Sequence, residues 1–478
     1  MRDVLSLYSL SFQTTLVYML QNTDYQPGAY LSWYWRTSNF NQVVKRRTLD
    51  RTKAAQLLLI TLRMGMLLQI FAGIGLIAAG IGNSSVLLIF LGAGCVLIYP
   101  VVWAHLIVIP LLAGRVLIQQ PKEKRLIEES KAIFANHPGI KIAVAGSYGK
   151  TTMKELLATV LGESKKVAAT PGNKNVSSSH AFFAARLTGE EDILIIEYGE
   201  GQPGDVARFA DITKPSIGVI TGLAPAHLDK YPSLAAAGQD IFRLADYLGD
   251  KKVYVNGESI EAKNFIKPEY ITYDRNQVNG WDIENIKVDI LQTTFEMTKK
   301  STKLHIKSGL IGSHQVGPLA AVAAIAHELG LTNSQIEKGC LKTKPYEHRM
   351  QPFGLSGAWI IDDTYNGNLE GIRAGLELLK DLPAKRRIYV TPGLVDQGVE
   401  NERVHRTIGG LIASAKPDQV VLMQNSVTSW IMSGLNEASY QGEVTIEAVP
   451  LNFYSNLKHF VASGDVVLMQ NDWTDNYS

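Results

Sequence analysis

Between Met64 and Gly114 the chain carries no Asp, Glu, Lys or Arg, and a run of about fifty residues without a formal charge is far beyond what a buried helix of a water-soluble domain needs. From Met64 to Ile81 it is apolar apart from Gln69, and from Val86 to Gly114 the only side chain that titrates near neutrality is His105. Each run exceeds or matches the ~20 residues that cross a bilayer as a helix. The short turn Gly82-Asn-Ser-Ser85 joins them, so the block predicts a transmembrane helical hairpin, with Pro100 and Pro110 expected to kink its second arm. A buried helical pair in a soluble domain is the competing reading, disfavoured by the length of the uncharged block.

Charge on either side orients the hairpin. Lys45, Arg46, Arg47, Arg51, Lys53 and Arg63 precede it, and Arg115, Lys122, Lys124 and Arg125 follow it; basic flanks at both ends place both ends in the cytoplasm. Residues 1–120 hold 9 Lys/Arg against 3 Asp/Glu, while the remaining 358 hold 38 against 42. The formal +2 of the whole chain therefore averages a sparse basic segment and a normally charged, slightly acidic body. That body, with its basic residues dispersed, gives no support for nucleic-acid binding. Ahead of the hairpin, Tyr30, Trp33, Tyr34, Trp35 and Arg36 read as an aromatic and basic interfacial stretch, and the cues admit a third, interfacial or re-entrant, helix within 1–40. A cleaved signal peptide is not expected, because Leu5–Leu20 is interrupted by Ser, Thr and Gln. The two cysteines, Cys95 and Cys340, are too far apart in sequence to suggest a disulfide framework or a metal site.

Beyond an amphipathic connector, Pro121–His137, the run Lys141–Ala145 predicts a buried strand. It opens into Gly146-Ser147-Tyr148-Gly149-Lys150-Thr151-Thr152 and then a helical pattern from Met153 to Leu161. Strand, glycine loop and helix N-terminus are the context of a phosphate-binding loop: backbone amides turn toward the phosphates, Lys150 reaches the terminal ones, and the Thr151 hydroxyl can hold Mg²⁺. The spacing is G-x-x-G-K-T-T, with Val144 where the longer motif has its first glycine. Two further strands, Asp192–Ile196 and Ser216–Ile220, end in Glu197 and in the segment Leu223-Ala-Pro-Ala-His227-Leu-Asp229. In a parallel sheet ligands gather at the strands' carboxyl ends, so Glu197 and His227 are expected beside the loop, as a carboxylate and an imidazole suited to a divalent cation at a nucleotide.

These residues resemble the Mur ligase family of ATP-dependent peptide-bond-forming enzymes over about 138–478, and within it most the MurF-type branch, which adds D-alanyl-D-alanine to a UDP-N-acetylmuramoyl-tripeptide. The resemblance rests on Gly146–Thr152, Thr170-Pro-Gly-Asn-Lys-Asn175, Glu197–Asp205, Leu223–Asp229, Gly312-Ser-His-Gln315, His348-Arg349 and Asp362-Asp-Thr-Tyr-Asn-Gly-Asn368. It implies α/β architecture in a central P-loop ATPase domain over 121–345 and a C-terminal Rossmann-like domain over 346–478, behind the membrane-anchoring helical region that the uncharged block places over 1–120. Ile360 and Tyr389 lie in expected strands, Trp359–Asp362 and Arg387–Thr391, flanking a helix over Leu369–Lys380, with later strands at Asp418–Leu422 and Asp465–Leu468.

By the same resemblance, Gly146, Ser147, Tyr148, Gly149, Lys150, Thr151, Thr152, His314, Arg349 and Asp363 bind ATP. Thr151, Glu197 and His227 hold Mg²⁺; Lys150, Glu197 and His227 serve catalysis; Asn173, Asn175, Tyr365, Asn366 and Asn368 face substrate. The implied reaction activates a carboxylate as an acyl phosphate, which an amine converts to an amide. A lysine, a helix N-terminus and cations are needed where two anions meet. Four departures stand out. No lysine occurs in Tyr231–Asp250, where the family carries a carbamylated one and this chain has Gly238 or Gln239. Gln315 and Pro318 replace an asparagine pair, Asn175-Val176 replaces Asn-Asn, and Gln470-Asn471-Asp472 replaces Lys-Gly-Ser. The membrane hairpin also stands where the family keeps its UDP-sugar-binding domain. The expected activity is ligation of D-Ala-D-Ala or an amino acid to a small-molecule or lipid-linked cell-envelope precursor, by a multi-pass membrane protein with cytoplasmic catalytic domains. The alternatives are a polyglutamylating or amidating ligase, and a non-catalytic nucleotide-binding membrane scaffold.

Overall fold

In the computed structural model the described residues are 3–23, 25–43, 49–172, 174–225, 231–365, 367–394, 397 and 400–471. The chain divides into two units, Met1–Arg125 and Leu126–Ser478.

The first unit is helical. Its uncharged block forms two long helices, Lys53–Gly82 and Val86–Leu106, joined by the expected turn. The first helix begins well before Met64, at a Thr52 cap whose Oγ1 accepts from the Ala55 backbone N–H; a charged first turn exposed at a helix start costs little. The arms approach closely where neither bears a side chain. A Cβ on Gly73 would lie 2.9 Å from the Gly92 carbonyl oxygen, and one on Gly92 2.5 Å from that of Gly73, the small-residue contact by which apolar helices pack without hydrophobic driving force. Gln69 spends its amide on the Cys95 carbonyl at 3.1 Å. The second arm runs through Pro100 and is interrupted at Ile107, before a short helix Val108–Gly114. Pro110 offers no N–H to the Leu106 carbonyl, so the break falls one turn upstream of the proline.

Residues 12–36 form two short helices, Phe12–Asn22 and Pro27–Arg36. Phe12, Tyr30, Tyr34 and Phe40 are buried in one cluster with Leu58, Leu62, Met66, Ala104 and Ile107, and the Tyr30 hydroxyl donates to the Ala104 carbonyl at 2.9 Å. By contrast Leu57, Phe71, Leu87, Phe90 and Leu97 stand exposed on the long helices. Lys45, Arg46 and Arg47 of the basic flank lie outside the described residues.

The second unit begins in the connector helix, Gln120–Asn136, and contains two sheets. The first is built of β1 (Ile140–Ala145), β2 (Val167–Ala169), β3 (Ile193–Glu197), β4 (Ile217–Ile220), β5 (Lys252–Asn256), β6 (Ile271–Tyr273), β7 (Gln277–Val278), β8 (Trp281–Val288), β9 (Thr293–Lys299) and β10 (Thr302–Ser308). Its order is β10-β9-β8-β7-β6-β5-β4-β1-β3-β2, parallel from β2 to β6 and antiparallel beyond. Strand β1 is covered on both faces: Ile142 and Val144 point into one core, Ala143 and Ala145 into the other, which is why it reads as a continuous apolar run. The second sheet comprises β11 (Gln351–Leu355), β12 (Ala358–Asp363), β13 (Arg386–Thr391), β14 (Gln419–Met423), β15 (Glu443–Glu447) and β16 (Asp465–Gln470). Its order is β11-β12-β16-β13-β14-β15, with only β11 antiparallel. Both sheets are of the doubly wound kind, whose loops meet ligands at the strands' carboxyl ends.

Candidate active site

Strand β1 lies between β3 and β4, so the loop after it opens beside Glu197 and Thr221. The loop is held by its neighbour: the Ser147 N–H donates to the Gly222 carbonyl at 2.9 Å, and Thr221 Oγ1 donates to the carbonyls of Tyr148 and of Ala145. Gly146 and Gly149 have φ of 141° and 71°, the left-handed region that side chains avoid. A Cβ on Gly146 would also sit 2.3 Å from Thr221 Oγ1. Gly149 is the cap of the helix Lys150–Leu161, whose N-terminal amides and dipole face the loop's mouth.

Two lysines and two glutamates converge on that helix start. Lys150 Nζ donates to the Gly146 carbonyl at 2.5 Å and to Glu200 Oε2 at 2.6 Å. Thr151 Oγ1 and Asn175 Nδ2 each donate to Glu197 Oε1 at 3.2 Å. Lys154, fully buried, donates to the carbonyls of Thr170 and Gly172, and its Nζ stands 3.5 Å from Glu197 Oε2. His180 Nε2 lies 2.8 Å from the Glu197 carbonyl, and burial pushes that imidazole down to about 4, so it is a neutral prop for the strand end. Among the described residues Glu197 Oε2 is buried and accepts no hydrogen bond. A buried carboxylate oxygen without a donor is costly, and an oxygen of that kind beside a threonine hydroxyl suits a hard divalent cation. Among the described residues no group of three His, Cys, Asp or Glu side chains gathers to hold a metal.

A cavity of about 350 Å³ runs from the loop to the second sheet, lined among others by Tyr148, Gly149, Thr152, His314, Arg349, Asp363, Tyr365 and Asn368. The Arg349 guanidinium lies 4.5 Å from the Tyr365 ring centroid, a cation–π contact, and its Nε is buried with no hydrogen-bond partner among the described residues. Asp363 accepts from the Met350 N–H at 3.1 Å and from Gln470 Nε2 at 2.7 Å; burial, against these donors and Arg349, pushes its carboxyl up to about 7. Burial also lowers the His314 imidazole to about 4 and raises the Tyr148 phenol to about 12. Asn368 Oδ1 accepts from the Gly371 N–H at 2.9 Å and caps the helix Leu369–Asp381.

The structure thus gathers the loop residues, Asn175 and Glu197 in one cluster, and His314, Arg349, Asp363, Tyr365 and Asn368 around one cavity. Asn173, His227 and Asn366 lie outside the described residues, as does Asp472 of the chain's terminal departure. Where the family's modified lysine is expected, Gly238 is buried with space for no side chain, a Cβ there meeting the Phe265 ring at 2.5 Å, and Gln239 is exposed. The sequence reading passed over Glu200 and Lys154. Lys154 had a signal: it shares a helix face with Leu157 and Leu161, both buried, and a lysine on a buried face implies partners.

Two family models match the chain: the Mur ligase middle domain over residues 144–326 and the Mur ligase glutamate ligase domain over 348–470. Together they cover more than half of it. The UDP-N-acetylmuramoyl-tripeptide–D-alanyl-D-alanine ligase of Escherichia coli (strain K12) is 26% identical over 332 residues, 65% of this chain and 72% of the relative. The ligase of that name from Synechocystis is 29% identical over 309 residues, 63% of this chain and 65% of the relative. A third, from Mycobacterium tuberculosis (strain CDC 1551 / Oshkosh), is matched over 63% of its length, so the chain spans just under two thirds of some of these relatives. Among solved structures, MurF from Acinetobacter baumannii superposes with a TM-score of 0.65 at 19% identity, covering 73% of this chain and 77% of that one. MurF ligase from Thermotoga maritima in complex with ADP gives 0.64 at 21%, covering 73% and 80%.

Proposed function

This chain belongs to the Mur ligase family, and from that premise we propose that it is an ATP-dependent amide ligase acting on a cell-envelope precursor, with D-Ala-D-Ala or an amino acid as the amine. The observation that carries the reading is the cluster at the start of the helix Lys150–Leu161. There a phosphate-binding loop, whose Tyr148, Gly149 and Thr152 line the cavity, gathers Lys150 and the buried Glu197 carboxylate at one helix start. Relatives named for the D-alanyl-D-alanine ligation and a solved neighbour bound to ADP support the substrate class and the nucleotide.

On this reading the loop amides and Lys150 take the terminal phosphates, while Tyr148, His314, Arg349, Asp363 and Tyr365 enclose the rest of the nucleotide. Thr151 and Glu197, with His227, would hold Mg²⁺, which would supply positive charge against the repulsion between the acceptor carboxylate and the γ-phosphate. An oxygen of that carboxylate attacks the γ-phosphorus, releasing ADP and leaving an acyl phosphate. The amine then attacks the carbonyl carbon and phosphate departs. Asn175, held on Glu197, is assigned to the acceptor together with Asn173, Tyr365, Asn366 and Asn368. We assign residues 1–120 to membrane anchoring, 121–345 to nucleotide binding and 346–478 to closure over the nucleotide. The two long helices leave most of their apolar surface uncovered, which supports membrane association; on this reading the acceptor is presented at the membrane and the catalytic domains lie in the cytoplasm.

Purified full-length protein in detergent, given ATP, Mg²⁺, D-Ala-D-Ala and muramoyl-peptide acceptors in soluble and lipid-linked form, is expected to release phosphate only when acceptor and amine are both present. ATP binding without coupled phosphate release for any acceptor would overturn the ligase. It would leave the nucleotide-binding scaffold, a reading that the tight packing at Gly238 favours because no modified lysine can stand there.

A further inference from the structure

Both ammonium groups of the phosphate-binding cluster have partners within the chain. Lys154 is committed to two loop carbonyls and stands against Glu197. Lys150, the lysine that should meet the terminal phosphates, is closed onto Glu200 at 2.6 Å, with the lysine side chain 11% and the glutamate side chain 4% exposed. A carboxylate oxygen on an ammonium at that distance, out of water, is a charge-assisted bond and not a solvent-screened surface pair. Glu200 follows β3 in the same segment as Glu197, so the backbone holds both carboxylates at the loop.

We propose that Glu200 is an internal stand-in for the nucleotide's phosphate: a latch on Lys150 that an entering polyphosphate must displace, and one that makes entry depend on a divalent cation. This rests on the assignment of Lys150 to the phosphates. The two positive side chains of the cluster face three carboxylates: the buried Glu197 and Glu200, and the more exposed Glu155, 3.2 Å from Lys154 Nζ. A polyphosphate that takes Lys150 from Glu200 leaves a buried carboxylate facing its own negative oxygens. A cation arriving with the nucleotide relieves both the phosphate and the released carboxylate; a metal-free nucleotide relieves neither. The latch therefore selects the metal complex over the bare nucleotide.

The test is equilibrium binding of ATP to the full-length protein in detergent, with Mg²⁺ and separately with EDTA, for the natural chain and for E200Q, E200A and K150A. A latch closed nine-tenths of the time weakens apparent affinity about tenfold. E200Q and E200A are therefore expected to bind metal-free ATP about tenfold more tightly than the natural chain, and to narrow the gap between the Mg²⁺ and EDTA affinities. Two glutamate variants, each checked for an unchanged thermal unfolding profile, keep a folding defect in one from deciding the matter. K150A is expected to lose ATP under both conditions. If K150A binds as the natural chain does, the assignment of Lys150 falls. If K150A loses ATP and neither glutamate variant tightens metal-free binding, the latch alone is overturned.

Discussion

The two units of this chain invert the usual distribution of side chains in opposite senses. In the helical unit Leu57, Phe71, Leu87 and Phe90 face outward; in the ligase unit Lys154, Glu197 and Glu200 are buried. Each inversion is a free-energy debt in water, apolar surface left exposed in one case and charge desolvated in the other. On the proposed function hydrocarbon would cover the helices, whereas the buried charges are first offset within the chain, by the Lys150–Glu200 and Lys154–Glu197 pairs. A third helix shows that apolar sequence alone does not make the first case. Val316–Glu328 is apolar nearly throughout, but it is 13 residues long and almost every residue of it is buried in the ligase unit's core. What separates it from Lys53–Gly82 is length and cover, not composition.

The buried charges give the largest expected effect. Lys154→Met removes the donor to the Thr170 and Gly172 carbonyls and the positive charge nearest Glu197 Oε2. Breaking a buried pair from one side costs about 3–5 kcal/mol, so the ligase unit's unfolding free energy, measured by urea denaturation, should fall by an amount of that size. A loss under 1 kcal/mol would mean that Glu197 is not desolvated, and the inversion would disappear on that side. The other side is tested by Phe71→Lys, at a position 67% exposed near the middle of the apolar run Met64–Ile81. In a bilayer a lysine at the centre of a helix costs about 2.5–3.5 kcal/mol of insertion free energy, and the variant should move from the alkali-resistant membrane fraction toward the soluble or degraded one. In water the same exchange is nearly neutral, so unchanged fractionation would break the comparison.

The sequence made one of these inversions readable and hid most of the other. Fifty uncharged residues are visible without structure, and so is the strand, loop and helix around Gly146–Thr152, because glycine, lysine and threonine there have local reasons to be where they are. The contact between Gly73 and Gly92 was not read, since it depends on which faces of two helices meet. Nor were β6 to β10, although Thr302–Ser308 alternates buried and exposed side chains as a half-covered strand should; short antiparallel strands beside a parallel sheet declare themselves weakly. Glu197 was expected at a strand's end, whereas Glu200 needed a distance to Lys150 before it meant anything. Gln470 was noticed as a departure from the family pattern, but its bond to Asp363 depends on β12 and β16 being neighbours.

Asp363 offers a titratable version of the comparison. Burial holds its carboxyl near about 7 in the folded chain, against about 3.9 for a free aspartate. The folded state therefore binds the proton more tightly. The stability this contributes is fully present below about pH 3.9 and is lost as pH rises through about 7, amounting to about 2 kcal/mol once partial solvent contact is allowed for. Asp363→Asn cannot ionise, so the stability difference between the natural chain and the variant should drift across that window and level off above it. A difference that stays constant from pH 4 to 8 would show that this carboxyl is not desolvated as the other buried charges are.

Asn368 is the ordinary case against which the inversions are measured, and it carries the smallest effect. The family resemblance gives it to the substrate, yet its side-chain oxygen already has a partner within the chain, the Gly371 N–H at the start of the helix Leu369–Asp381. A cap of this kind is worth about 1 kcal/mol. Asn368→Ala should lower the unfolding free energy by about that much, and Asn368→Asp, which keeps an accepting oxygen and adds a charge favourable at a helix N-terminus, should restore it. If the cap is the whole of its role, the KM for acceptor in the coupled phosphate-release assay follows the same pattern, raised little or not at all in either variant. If Asn368→Asp recovers stability while KM for the acceptor rises severalfold, the amide nitrogen has a partner that the chain does not supply. Asn368 would then belong with Glu197 and Glu200 among the groups that await a ligand.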